Sequence, residues 1–238
     1  MKKYIALMVI PLLFTLQGCA ELAGVMQNLP QQPGSQSEVS AGLKQALEFG
    51  VNEGVTQLSA TDGFFRDQAV RILLPQELQA VDRTLRQIGL SSLADEGLRV
   101  LNRAAEDAVV EAKPIFVTAI RNITFNDVMG ILMGDRQAAT QYLQRVTSQQ
   151  LVQAFSPKIE TSLNRVGANE VWNNIITRYN QVPMVQPVNP DLTQYVTEQA
   201  VKGVFVKVGQ KEVDIRENLG ARTTDLLRRV FGMQDRNR

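Results

Sequence analysis

The sequence predicts an all-α protein: a single compact multi-helix domain that follows a signal peptide and a flexible tether. Apolar residues recur every three or four positions from residue 37 to residue 231, which is the spacing of one face of a helix. Capping residues, glycines and prolines divide this pattern into about eight to ten helices. No repeat of fixed period is evident, so the pattern argues against a solenoid.

The N-terminal segment has the features of a bacterial lipoprotein signal. Lys2 and Lys3 precede an apolar run from Tyr4 to Leu16, which is shorter than the roughly 20 residues that a membrane-spanning helix needs. The run closes with the sequence Leu-Gln-Gly-Cys, which ends at Cys19. This order predicts cleavage before Cys19 and attachment of lipid to its thiol. An ordinary secretory signal is the alternative, but no A-x-A-like cleavage site follows the run.

The residue after the cysteine predicts where the protein is sorted. An aspartate at that position favours retention in the inner membrane, and Ala20 therefore predicts the outer membrane, facing the periplasm. Several acyl chains together anchor a protein durably, whereas one chain binds only marginally. The predicted organisation is a signal peptide at residues 1–18, a lipidated N-terminus and tether at 19–36, a helical domain at 37–232 and a polar tail at 233–238.

The first predicted helix of the domain ends in a turn at residues 59–63. Gly50 and Gly54 lie beside its apolar face, where they would permit a close helix crossing or loosen the helix. A short apolar segment then stops at Pro75, which can serve as the first residue of the next helix. That helix is predicted to end at Gly89. The apolar positions of the two helices are Val39, Leu43, Leu47, Val51, Val55 and Leu58, then Leu78, Val81, Leu85 and Ile88.

The longest predicted helix starts at a capping box formed by Ser92 and Asp95. Alanines on its inward arc predict close packing against a neighbour, and Pro114 predicts a bend or break. Thr124 and Asp127 predict the cap of the helix that follows. The inward arc of the long helix comprises Leu93, Leu101, Ala104, Ala105, Ala108, Ala112, Ile115 and Phe116.

The capped helix is predicted to end at Gly134. Asp135 is predicted to start another helix, and Pro157 to mark a junction before a helix that runs to Gly167. A further helix carries Trp172. The apolar positions of these helices are Tyr142, Leu143, Val146, Leu151, Phe155, Ile159, Leu163, Val166, Val171, Ile175, Ile176 and Tyr179.

Three prolines between residues 181 and 190 predict an extended crossover, because proline cannot continue a helix. Asp191 with Gln194 predicts the N-cap of a helix through Phe205. Alternating valines leave a short strand as an alternative there; they are Val204, Val206 and Val208. A last helix is predicted to stop at Gly232.

Composition excludes several kinds of catalytic site. The chain contains no histidine and a single cysteine, so Ser-His-Asp, Cys-His and His-metal sites cannot form within it. Without residues 1–18, which hold two of its 25 basic residues, 23 basic and 24 acidic side chains remain. This balance gives no field that attracts nucleic acid. No metal-binding spacing or phosphate-binding loop is present, and we expect no cofactor, no metal and no nucleic-acid partner.

Several separated segments resemble one family of bacterial proteins. They read LLPQELQAVDRTLRQIGL, LNRAAEDAVVEAKPIF, TFNDVMGILMGD, FSPKIETSLNRVG, PDLTQYVTEQAVKGVF and ARTTDLLRRVFG, in this order along the chain. They are similar to the uncharacterised family called domain of unknown function 4197, over roughly residues 43–232. The resemblance implies a helical envelope protein with a signal sequence. It implies no activity and transfers no catalytic residue.

One face of the long helix is the first choice for a binding site. Charged residues fall within a narrow arc of it at helical spacing; they are Asp95, Arg99, Arg103, Glu106 and Lys113. In one interpretation Asn102, Arg103 and Glu106 form a polar site, where Arg103 grips an anionic group through its planar guanidinium. In the alternative, this is a solvated face with weak ion pairs, each worth a few tenths of a kcal/mol.

A second candidate site precedes the last helix. Arg222 and Thr223 could hold a phosphate or carboxylate at the helix N-terminus, where exposed amides and the helix dipole favour an anion. Alternatively, Thr223 or Thr224 simply caps the helix.

Carboxylates and aromatic residues offer weaker hypotheses. Asp127, Asp191 and Glu198 could serve in an acid–base pair, but spacing places no two of them at a working separation. Aromatic residues could line an apolar pocket or pack in the core; they are Trp172, Tyr179 and Tyr195.

The sequence favours a non-enzymatic lipoprotein whose helical domain binds a partner or acts as a scaffold. The expected partners are the membrane, through the lipid anchor, and an envelope protein or a small amphiphile. The alternatives are a lipid-binding protein and a carboxylate-based hydrolase of envelope polymers, in which Glu106 would be one of two acids.

Overall fold

The computed structural model describes residues 35–75, 79–181, 183–184, 186–189 and 191–235. The predicted signal peptide, the predicted lipid attachment residue Cys19 and nearly all of the predicted tether lie outside these residues. Residues 34–238 form one compact unit, and the description that follows concerns this unit alone.

Nine α-helices account for most of the described residues, and no strand occurs among them. The prediction of an all-α domain is therefore confirmed, and the strand alternative at residues 204–208 is wrong. The helices are α1 (Gln36–Ser59), α2 (Gln79–Gln87), α3 (Ser91–Val109), α4 (Ala112–Arg121), α5 (Phe125–Leu132), α6 (Ala138–Arg165), α7 (Ala168–Asn180), α8 (Leu192–Glu217) and α9 (Asp225–Asp235). A short 3-10 helix, Leu219–Ala221, joins α8 to α9.

Local capping signals are confirmed at three helix ends. Thr124 and Asp127 cap the start of α5 as predicted, and they do so through a capping box. The Asp191 carboxylate accepts the N–H of Gln194, 2.8 Å away, at the start of α8. Gly89 follows α2 with a φ of +85°, the left-handed conformation that glycine adopts most readily after a helix.

The predicted capping box of α3 is wrong. The helix begins at Ser91, one residue before Ser92, and its N-cap Leu90 makes no side-chain capping bond. The Asp95 carboxylate instead accepts a hydrogen bond from the Arg86 guanidinium on α2, at 2.8 Å. A charge-assisted bond to another helix has replaced the local cap.

The predicted long helix is interrupted near Pro114, as predicted, so α3 and α4 are separate helices. The break lies between Val109 and Ala112, so Pro114 falls in the first turn of α4, where a missing N–H costs no intrahelical bond. Lys113, predicted on the charged face of α3, therefore belongs to α4.

Two predicted helix boundaries are wrong because tertiary contacts carry the helix past them. Pro157 lies inside α6 on its exposed side, between Phe155 and Ile159, which are both completely buried. Burial of that continuous face offsets the hydrogen bond that the proline removes. Gly232 lies inside α9 because the next turn is held by Asp235, which binds the buried Arg222.

Two glycines of α1, Gly42 and Gly54, permit close approaches of other helices. A Cβ on Gly54 would lie 3.3 Å from the Cβ of Lys207 on α8, and one on Gly42 would overlap Val230 on α9. The crossing alternative for Gly54 is thus confirmed. Four apolar residues that were predicted on the buried faces of helices are exposed to solvent instead, which is common for single apolar residues. They are Ile88, Val146, Val166 and Val171.

Two buried charged side chains on α8 form hydrogen bonds with the free backbone groups at the ends of two other helices. The Glu212 carboxylate accepts the N–H groups of Ala139 (2.9 Å) and Thr140 (2.8 Å) at the start of α6. Arg216 donates to Glu212 (2.9 Å) and to the carbonyls of Ile131 (2.8 Å) and Leu132 at the end of α5. These bonds cap α6 in place of the predicted Asp135, which lies outside the helix. Both charges also match the helix dipoles.

No single helix among the described residues is long and apolar enough to cross a bilayer. Only α4 and α5 taken together, bent by 107° at their break, meet that test, and by length and composition alone.

Candidate functional site

Asn102 on α3 clamps the connection between α1 and α2. Its amide is completely buried, and its Nδ2 donates to the carbonyls of Ile72 (2.8 Å) and Leu98 (2.7 Å). Its Oδ1 accepts the N–H of Ile72 at 2.8 Å. Every donor of this amide is used within the chain, so Asn102 positions the connection and offers no free group to a ligand.

Glu106, one turn further along α3, holds the other end of the same connection. Its carboxylate is 3% exposed and accepts the N–H groups of Asp62 and Phe64, each at 3.2 Å. The Arg103 guanidinium lies 3.0 Å from Glu106 Oε2. Burial raises the pKa of Glu106, although the Phe64 N–H and the Arg103 charge oppose the shift.

The clamped turn has a backbone that few residues tolerate. Asp62 has a φ of +61°, a left-handed conformation that aspartate adopts more readily than most residues. A Cβ at the next residue, Gly63, would overlap the carbonyl oxygens of Gln57 and Leu58. Glu106 thus accepts hydrogen bonds from a turn whose shape is set by two special residues.

The raised pKa of Glu106 predicts a pH dependence of stability. Between the ordinary value of 4.5 and the raised value, the unfolded chain has lost this proton and the folded chain still holds it. The contribution of Glu106 to the free energy of unfolding therefore falls as pH rises through this window, and stays low above it.

Glu106→Gln removes that titration. Urea unfolding at a series of pH values should show the stability of the wild type, minus that of Glu106→Gln, declining as pH rises above about 4.5. A difference that is constant or that grows with pH would contradict the assigned direction.

Beside Arg103 lies a cleft of about 280 Å³ between α3, the C-terminal end of α6 and the turn after α1. We call it the arginine cleft, because three guanidinium groups line it. Its lining residues are Asp62, Glu96, Arg99, Val100, Arg103, Ala104, Glu106, Asp107, Ser162, Arg165 and Val166. Three members of the predicted charged face, Arg99, Arg103 and Glu106, therefore border a concave site, and Asp95 and Lys113 do not.

The arginines of the cleft differ in how they are neutralised. Arg103 pairs with Glu106, and its side chain is 49% exposed. Arg99 lies over the Phe65 ring, 4.7 Å from its centroid, and Arg165 extends from the last turn of α6. Neither Arg99 nor Arg165 makes an ion pair within the described part of the chain. The cleft can therefore offer positive charge to an anionic group.

The second predicted site lies elsewhere and is bonded internally. Arg222 is 1% exposed and donates to the carbonyls of Ile215 and Arg216, both at 2.9 Å, and to the Asp235 carboxylate. Thr223 is exposed, and Thr224, not Thr223, caps α9 by accepting the Leu227 N–H. These contacts give Arg222 a structural role at the end of α8, and neither it nor Thr223 lines the arginine cleft.

The remaining carboxylate candidates serve as surface or capping groups. Hydrogen bonds from Thr124 lower the pKa of Asp127, and Asp191 caps α8. Glu198 accepts a hydrogen bond from the Gln194 amide at 2.9 Å. None of the three lines the arginine cleft. Among the described residues, no group of three or more acidic, histidine or cysteine side chains is arranged to hold a metal ion.

The aromatic candidates are packed rather than arranged around a cavity. Trp172 stacks on Tyr195 with ring centroids 6.4 Å apart, and the Tyr195 hydroxyl donates to the Leu73 carbonyl at 2.7 Å. An apolar cavity that includes Leu47, Val208 and Phe231 has a volume of about 10 Å³. That is about the smallest space that holds one water molecule, so an acyl chain does not fit there.

Two groups of important residues were not identified in the sequence. Ser162 and Arg165 reach the cleft only because α6 folds back beside α3, and no local pattern indicates this contact. Glu212 and Arg216 lie four apart, a spacing typical of ion pairs on a helix. They lie beyond the helix predicted through Phe205, which in the structure continues to Glu217. That spacing was the available signal, but it does not distinguish a buried pair from an exposed one.

A family model described as "Protein of unknown function (DUF4197)" matches residues 34–232. No curated protein and no solved structure matches the chain.

Proposed function

Since the chain belongs to the DUF4197 family of proteins of unknown function, we propose that it is a lipid-anchored envelope protein that binds an anionic ligand in the arginine cleft. Cys19 would carry the lipid at the periplasmic face of the outer membrane. The observation that carries the binding proposal is the placement of Arg99, Arg103 and Arg165 around one concave site.

The chemistry of the cleft supports binding of a small phosphate or carboxylate group. Guanidinium groups present planar, paired donors that match both anions. The ion pair with Glu106 holds Arg103 in place, so one of the three donors is restricted in its motion before a ligand binds. A volume of about 280 Å³ is at the lower end of the range of ligand sites, which favours a small ligand or one group of a larger molecule.

Anion binding is tested by calorimetric titration of the purified protein with ethyl phosphate. Arg165→Gln should weaken the affinity about tenfold, the effect of losing one hydrogen bond to a charged group. The matched control is Arg136→Gln, which removes an exposed arginine outside the cleft and should leave the affinity unchanged. Equal losses in both variants would refute the proposal, and so would a wild type that binds neither ethyl phosphate nor a carboxylate such as propionate.

Lipid anchoring is tested by metabolic labelling with radioactive palmitate in Gram-negative cells. The wild-type protein should incorporate label and Cys19→Ser should not, because the thioether acyl anchor requires this thiol. Sucrose-gradient fractionation should place the labelled protein with the outer membrane. Equal incorporation in both proteins, or none in either, would refute the anchoring proposal.

One observation favours hydrolysis of an envelope polymer as a second candidate function. Burial raises the pKa of Glu106, as required of a general acid, and Asp62 and Asp107 also line its cleft. However, Glu106 accepts two backbone N–H groups, so it is first of all a clamp. If the Glu106→Gln variant complements a deletion strain as fully as the wild type does, Glu106 is not a general acid and the hydrolase hypothesis is refuted.

A further inference from the structure

The cleft contains acidic side chains as well as arginines, and some of these charges cancel within the protein. Arg103 pairs with Glu106 at 3.0 Å. Asp62 pairs with Arg66, which projects away into solvent, at 3.0 Å. Four other charged residues line the cleft and take no part in these two pairs.

Two of the four are cations and two are anions. Arg99 and Arg165 make no ion pair within the described part of the chain, and the same is true of Glu96 and Asp107. The Asp107 carboxylate accepts one hydrogen bond, from the Ser162 hydroxyl at 2.6 Å, which ties the two walls of the cleft together. That bond leaves the negative charge of Asp107 without a positive partner.

The charged side chains that α3 contributes are spread along the cleft rather than clustered at one point. Glu96, Arg99, Arg103 and Asp107 follow one another along one stripe of α3 at intervals of three or four residues. The distance from Glu96 to Asp107 along the helix axis is about 16 Å, from a rise of 1.5 Å per residue. Small apolar side chains, Val100 and Ala104, lie between them at the floor. A ligand in this cleft therefore meets both signs of charge.

We propose that the ligand of the arginine cleft is zwitterionic: its phosphate or carboxylate binds Arg99, Arg103 and Arg165, while a primary ammonium a few bonds away binds Asp107 or Glu96. This inference rests on the proposed anion site and narrows its ligand class. The two unpaired carboxylates would repel a purely anionic ligand. In a zwitterionic ligand, the attraction between these carboxylates and the ammonium offsets that repulsion.

The experiment compares two ligands that differ only in the ammonium, phosphoethanolamine and ethyl phosphate, in calorimetric titrations of the purified full chain. The wild type should bind phosphoethanolamine about fivefold more tightly, the effect of an ion pair at a partly exposed site. Asp107→Asn and Glu96→Gln should together abolish this preference and strengthen the binding of ethyl phosphate. Asp135→Asn, at an exposed acid outside the cleft, should preserve it. β-Alanine compared with propionate shows whether the anion is a carboxylate rather than a phosphate.

The outcomes separate this inference from the anion site on which it rests. The proposal of a zwitterionic ligand would be refuted by equal affinities for phosphoethanolamine and ethyl phosphate, together with an affinity for β-alanine no higher than that for propionate. Such a result would not contradict the anion site. A preference that survives in the Asp107→Asn, Glu96→Gln double variant would also refute the zwitterionic ligand. Absence of binding by all four ligands would refute the anion site itself.

Discussion

Glu212→Gln is expected to lower the free energy of unfolding by about 3–5 kcal/mol, the cost of leaving a buried charge without its partner. The affected charge is Arg216, whose side chain has no exposure and which cannot lose its proton at any ordinary pH. The glutamine keeps the shape of the carboxylate, but it provides one acceptor oxygen in place of two. The N-terminus of α6 therefore also loses part of its cap.

Urea unfolding followed by circular dichroism measures this loss. The control is Arg136→Gln, which breaks the ion pair with Glu217 (2.7 Å) at the surface and should change stability by less than about 1 kcal/mol. The double variant Glu212→Met, Arg216→Met removes both charges and should recover part of the loss. A single Glu212→Gln variant as stable as the wild type would show that the pair is solvated.

Asn102→Leu is expected to lower the free energy of unfolding by about 2–5 kcal/mol. The leucine has a similar volume, so the effect comes mainly from the N–H and the carbonyl of Ile72, which lose their partner. Each buried group left without a partner costs about 1–3 kcal/mol. Ile72 is itself 2% exposed, so water does not replace the lost bonds.

Hydrogen exchange gives a local test of the clamp. The amide of Ile72 should exchange faster in Asn102→Leu than the global loss of stability explains, because the connection after α1 opens by itself. Asn173→Leu is the control, since that exposed side chain accepts a hydrogen bond from the Thr177 hydroxyl and its loss should cost less than about 0.5 kcal/mol. Unchanged exchange at Ile72 would show that another group holds the connection.

The sequence predicts the structure well where the signal lies within one helical turn. The Thr124–Asp127 box and the Asp191 cap each join groups three residues apart, and Gly89 acts through its own backbone. Helix periodicity likewise identifies the buried face of α1, from Val39 to Leu58. These features depend on neighbours in the chain, and the sequence shows those neighbours directly.

Prediction fails where a distant residue supplies the partner. The first amides of α6 bind Glu212, which is 73 residues away from Ala139, so the local candidate Asp135 is not needed as a cap. Pro157 and Gly232 break no helix because contacts with the core hold both flanking turns. Periodicity shows that a face is buried, but not which helix covers it or which of its charges are buried with it.

The same limit applies to the candidate site. The charged arc of α3 is visible from spacing alone, and two of its members, Arg99 and Arg103, line the cleft. The sequence does not reveal that Asn102 and Glu106 turn inward, because burial depends on the connection after α1. Arg165 is invisible as a cleft residue until α6 is placed beside α3.

The packing of α1 against α9, through Gly42 and Val230 and the Glu38–Arg229 ion pair at 2.6 Å, has a consequence for biosynthesis. The ribosome adds Arg229 to the chain 191 residues after Glu38. Through most of translation the apolar stripe of α1 therefore lacks one of its covering surfaces. Exposed apolar surface makes an incomplete chain prone to aggregate, and α1 can bury its whole apolar stripe only after the last helix has been made.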